Sequence, residues 1–69
     1  MTRIDARGQR CPWPAIRLAR ALRTEAGPVE ILADDPAAPR ELALVAEQAG
    51  ASFAAAGECD GVPLFRCGR

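Results

Sequence analysis

The chain has 69 residues, nine basic and nine acidic, and 49 % of them are hydrophobic. Such a chain makes one small domain rather than a disordered segment, with folding burying only about 60 % of the unfolded surface, and its zero net charge gives no general pull toward nucleic acid or membrane. Histidine is absent, which excludes an imidazole base, a His-assisted nucleophile and a His metal ligand.

The start, Met1-Thr2-Arg3-Ile4-Asp5, enters a strand-like pattern with no signal-peptide apolar region. No run approaches the roughly 20 apolar residues of a membrane span, so the expected location is the cytoplasm. Residues 3–6 read as a short first strand and Arg7-Gly8-Gln9-Arg10 as a loop. Cys11-Pro12-Trp13-Pro14 then opens a helix. Pro12 suits the first helical position because its φ is already set and its missing N–H would have had no partner; Pro14 still lies in the tolerant first turn. Ala15, Leu18, Ala19, Leu22 and Ala26 recur at helical spacing, with Arg17, Arg20 and Thr24 opposite, and Gly27-Pro28 ends the helix. Val29 to Ala33 reads as a strand with Val29, Ile31 and Ala33 on one side.

Asp34-Asp35-Pro36 is a second helix-start signal, with the acids as cap and proline following. Leu42, Val45, Ala46 and Ala49 form the stripe of this helix, Leu44 falls on its polar side, and Gly50 stops it. Residues 51–57 give a weak strand signal. Asp60-Gly61 marks a hairpin turn before a last strand over 62–67, with Pro63 near its start. The spacing thus predicts helices near 12–26 and 37–49 in the order β-α-β-α-β-β. Two right-handed crossovers place both helices on one sheet face, an α/β two-layer sandwich.

The chemistry concentrates at Cys11. A thiol at a helix start faces unpaired backbone N–H groups and the positive end of the helix dipole, which predicts a lowered pKa and a reactive thiolate. With no second cysteine at C-x-x-C spacing, dithiol redox work is not expected. Arg7 and Arg10 flank the thiol and are candidates for stabilising a sulfur anion or attracting an acidic partner. Arg17 and Arg20 extend that basic surface along the helix, as a solvated face or one for a partner or an RNA backbone. Trp13 either covers the core edge or anchors a partner. Cys59 and Cys67 read as packing residues, with Cys59 opposing Val62 across the turn so that no cross-strand disulfide is implied. Three thiols without histidine could hold zinc only with a carboxylate or an outside ligand, and their spacing is not metal-like, so no metal site is expected.

Asp5-x-Arg7-Gly8-x-x-Cys11-Pro12-x-Pro14, then Ala33-Asp34-Asp35-Pro36 and Arg40-Glu41-Leu42, resembles the TusA/SirA-like sulfur-carrier proteins over essentially the whole chain. The resemblance implies a single domain over residues 1–69. Its sheet would be mixed and four-stranded, with the last strand antiparallel to the rest and both helices on one face. It further implies a sulfurtransferase half-reaction, in which sulfane sulfur is held as a persulfide on Cys11, with Gly8, Pro12 and Pro14 as supporting motif residues and no cofactor. The implied donor is a cysteine desulfurase or rhodanese-like protein, and the acceptor is a protein of tRNA thiolation, molybdenum-cofactor maturation or sulfur oxidation. Neither a membrane nor directly bound nucleic acid is implied. Two alternatives stand beside this: a small RNA-binding or regulatory module using the arginine face, and a redox sensor with Cys59 or Cys67 resolving Cys11. The sensor requires a second cysteine within about 7 Å Cα–Cα of Cys11.

Overall fold

The computed structural model describes residues 2–68. Its elements are β1 (Thr2–Asp5), α1 (Trp13–Thr24), β2 (Val29–Leu32), α2 (Ala38–Gln48), β3 (Ser52–Cys59) and β4 (Val62–Gly68). They form one four-stranded sheet in the order β1-β2-β4-β3. β1 and β2 are parallel, and β4 lies antiparallel between β2 and β3. The last strand therefore runs against the other three.

Both helices contribute to a single core and pack against each other, so they share one sheet face as the crossover rule requires. Ile4, Ile31 and Phe65 stand side by side across β1, β2 and β4, and Val29 and Cys67 pair one step further along. Onto this layer α1 presses Leu18 and Leu22, and α2 presses Leu42 and Ala46. Phe53 of β3 stacks on Phe65 with ring centroids 5.3 Å apart, closing the core at that side. The other sheet face carries Arg3, Glu30 and Arg66 in register, with Arg3 Nη2 2.9 Å from Glu30 Oε1.

The stripes rotate slightly from their expected positions. In α1 the buried residues are Pro14, Leu18, Ala21 and Leu22, whereas Ala26 is exposed beyond the helix end. Glu25 is already extended at φ −97°, ψ 136°. The Thr24 hydroxyl donates back to the Arg20 carbonyl at 3.1 Å, a local bond that competes with further helix. β3 runs on past the expected residue 57 to Cys59, bending through an irregularity between Ala55 and Glu58 where Gly57 has φ +104°.

Candidate functional site

β1 and β2 are parallel and each is followed by a helix, so the N-termini of α1 and α2 meet at the same end of the sheet. Open α/β sheets place their sites at this end, outside the carboxyl ends of the strands. Between β1 and α1 runs the loop that carries Cys11, and the end of β2, the segment after it and α1 brace it. The Ala6 N–H donates to the Leu32 carbonyl at 2.9 Å. The Gly8 N–H lies 3.0 and 3.1 Å from the two carboxylate oxygens of Asp34. Gly8 has φ +79°, a left-handed conformation that glycine adopts without strain. From α1, Arg17 Nη1 reaches back to the Asp5 carbonyl at 2.7 Å and to Gln9 Oε1 at 3.1 Å. The Trp13 N–H donates to the Arg10 carbonyl at 2.9 Å, and Pro14 is fully buried in the core. Pro12 is exposed, and the Cys11–Pro12 peptide is cis.

These contacts correct the reading of Asp34 and Asp35 as the cap of α2. The N-cap is Ala37, with no side-chain cap bond, because Pro36 and Ala37 carry the chain past the reach of both acids before the helix starts. Asp34 instead ties down the cysteine loop. The Asp35 carbonyl accepts the Ala38 N–H at 2.9 Å, while its Oδ2 is buried without a hydrogen-bond partner.

Cys11 is exposed and precedes Pro12, the N-cap of α1. Its Sγ donates to Oε2 of Glu41, in the first turn of α2, at 2.6 Å. That hydrogen bond, followed by lost solvation and the negative charges of Glu41 and Asp35, pushes the thiol above its ordinary value of 9.0. The expectation of a lowered pKa is thereby overturned. The sulfur sits one residue before the helix cap rather than on it, and its charged neighbours are carboxylates. Of the two arginines expected to help, Arg7 is committed to Asp5 through Nε–Oδ1 and Nη2–Oδ2 bonds of 2.8 Å each, while Arg10 is exposed; Arg17 is held by the loop backbone.

The Arg7 fork, chiefly through its side-chain hydrogen bond, holds the Asp5 carboxyl down to about 2 from an ordinary 3.8. Because this pKa is depressed in the fold, the pair's contribution is complete above the ordinary value and is lost as pH falls from 3.8 toward about 2. A carboxyl NMR titration should place Asp5 near 2, and Arg7→Ala should return it toward 3.8.

Of the remaining candidates, Arg10 and Trp13 are exposed beside the thiol, Trp13 at 58 %. One turn along α1, Ile16 is also exposed, so Trp13 and Ile16 continue an apolar strip past the loop, beside Arg17 and Arg20. Leu44 is exposed on α2, as its place on the polar side predicts. The sequence reading missed Ile16 and Glu41 as site residues. The available signals were the i, i+3 spacing from Trp13 and an acid in the first turn of a helix starting at the same sheet end.

Cys67 is fully buried and pairs with Val29, at the start of β2. It is thus three strand residues, roughly 10 Å, from the sheet end that carries Cys11, beyond disulfide reach. Cys59 opposes Val62 as expected, and strand alternation turns it to the face away from the helices. Cys67 is therefore not placed to resolve Cys11 as a redox sensor requires. Among the described residues no group of three or more His, Cys, Asp or Glu could hold a metal ion, and no helix is long and apolar enough to cross a membrane. Two surface grooves of about 260 and 240 Å³ flank α1, one lined by Ile4, Arg17 and Thr24 and the other by Ala19, Val45 and Ala49; neither includes Cys11.

A braced, exposed thiol between the first strand and the first helix of a small α/β sandwich defines the site. The family model of the sulfurtransferase TusA matches residues 2–64, and the chain belongs to that family. The crystal structure of a SirA-like protein from Desulfitobacterium hafniense is similar, with 35 % identity and a TM-score of 0.85 over 99 % of this chain and 96 % of that one. A comparison with curated proteins found no match.

Proposed function

We propose that the protein is a sulfur carrier of the cytoplasm that accepts sulfane sulfur on Cys11 and delivers it to an acceptor protein. The observation that carries this reading is Cys11 itself: it is the exposed cysteine of the three, on a loop fastened by Asp34 and Arg17. Cys11 attacks the terminal sulfur of a donor persulfide, so that a Cys11 Sγ–S bond forms and the donor S–S bond breaks. The electron pair leaves on the donor sulfur, which becomes a thiol. The reverse exchange with an acceptor thiol restores free Cys11. The donor is a cysteine desulfurase or rhodanese-like protein, and docking uses Trp13 and Ile16 with Arg10 and Arg20 at the rim. An apolar centre bordered by arginine suits an acidic partner surface.

The test is incubation with a cysteine desulfurase and cysteine, followed by peptide mass spectrometry. One reducible sulfur is expected on the Cys11 peptide. The double variant Cys59→Ala, Cys67→Ala is expected to load to the same extent once folded. Sulfur appearing equally on Cys59 or Cys67, or a folded double variant that takes none, overturns the single-thiol reading.

A further inference from the structure

The carboxylate 2.6 Å from the reacting sulfur has no place in a carrier that relies on helix-start activation alone. We infer that Glu41 is a catalytic residue of the sulfur relay, taking the Cys11 proton as the sulfur attacks and returning it to the departing thiolate. This rests on the carrier reading above. Glu41 Oε2 already accepts the Sγ–H bond, so the proton has a short path and no water need intervene. The atoms balance. The Sγ proton moves to Glu41 while the sulfur's electron pair forms the bond to the donor's terminal sulfur. The donor S–S bond breaks, its electron pair stays on the donor sulfur, and that thiolate takes the proton from Glu41. Glu41 ends as it began, and no outside oxidant or reductant enters.

The surroundings favour this role over plain anion stabilisation. The charged groups near the pair are Asp35 before α2, Arg40 beside Glu41 and Arg10 beside Cys11 in sequence, while Arg7 and Arg17 are bound to Asp5 and the loop. The charges that act most on the thiol are the two carboxylates, and both oppose a free thiolate. Idle Cys11 is therefore kept protonated, and its proton leaves only as the new S–S bond forms. The same negative charges disfavour a resting persulfide anion, which promotes hand-off to the acceptor.

The test compares wild type with Glu41→Gln, which keeps the shape of the side chain but cannot carry the proton. Two readouts are taken at neutral pH: the rate at which iodoacetamide alkylates Cys11, and the single-turnover rate of Cys11 loading from glutathione persulfide. Alkylation needs only a thiolate and should rise several-fold in Glu41→Gln, with its pH profile moved to lower pH. Loading needs the proton transfer and should fall, on the order of tenfold to a hundredfold. Glu41→Asp keeps a carboxylate and should load faster than Glu41→Gln. Rates that rise together in Glu41→Gln overturn the proposal, because Glu41 then only suppresses the thiolate. Rates that both stay unchanged overturn it too, as does Glu41→Asp loading no faster than Glu41→Gln. A wild type that is alkylated at Cys11 but takes no sulfur overturns the carrier reading itself, whereas loading unimpaired in Glu41→Gln overturns the proton transfer alone.

Discussion

Cys11→Ser is expected to take up no sulfur from a desulfurase and cysteine, while its thermal midpoint stays within about 4 °C of wild type. The chemical loss is complete because a serine hydroxyl neither ionises nor attacks sulfane sulfur as a thiol does. The structural effect is small because the Cys11 side chain is exposed and lies before the N-cap of α1, which has no side-chain cap bond to lose. A serine hydroxyl can also donate to Glu41 as the thiol does. The measurement pairs sulfur loading by mass spectrometry with thermal unfolding by circular dichroism. A Cys11→Ser chain that still acquires sulfur sinks the assignment. One that unfolds many degrees earlier would show that the sulfur, and not only the loop around it, holds the site together.

Much of this arrangement is legible in the sequence because its signals are local. Leu18 and Leu22, Leu42 and Ala46, and the alternation of Val29 and Ile31 each show their buried face within a few residues. The Asp60-Gly61 turn sets Cys59 against Val62 without knowledge of any distant residue. The position of Cys11 is equally plain, since Gly8 before it and two prolines after it leave little but a loop entering a helix.

What the sequence hides lies in pairs of distant residues. Asp34 looks like part of a helix cap because Asp34-Asp35-Pro36 has the pattern of a helix start, and nothing local shows that Gly8, 26 residues away, holds its carboxylate. Arg7 looks free to serve a thiolate until the structure shows Asp5 engaging its fork. Glu41 is 30 positions from Cys11, yet the parallel pairing of β1 and β2 brings their two helix starts together. That single contact reverses the sign of the electrostatics around the thiol. Helix-start activation is a sound rule for a sulfur on the cap itself, and here an adjacent carboxylate outweighs it.

The largest stability effect is expected from Leu42→Ala, set against Leu44→Ala two residues along the same helix. Leu42 is fully buried between α2 and the sheet, whereas Leu44 is 51 % exposed. Truncating a buried leucine removes its transfer free energy and leaves a cavity, about 3 kcal/mol together. A domain of this size holds only about 4–10 kcal/mol in total, so the thermal midpoint should drop by roughly 12 °C or more. Leu44→Ala should change stability by less than about 0.5 kcal/mol. Thermal and urea unfolding of the two variants check both values. Leu42 also adjoins Glu41, so a loosened α2 moves the carboxylate away from Cys11. Leu42→Ala should therefore alkylate faster at neutral pH even where most molecules remain folded, and Leu44→Ala should not. Equal losses of stability in the two variants would mean that α2 packs through a different face, and the Cys11–Glu41 contact would fall with that orientation.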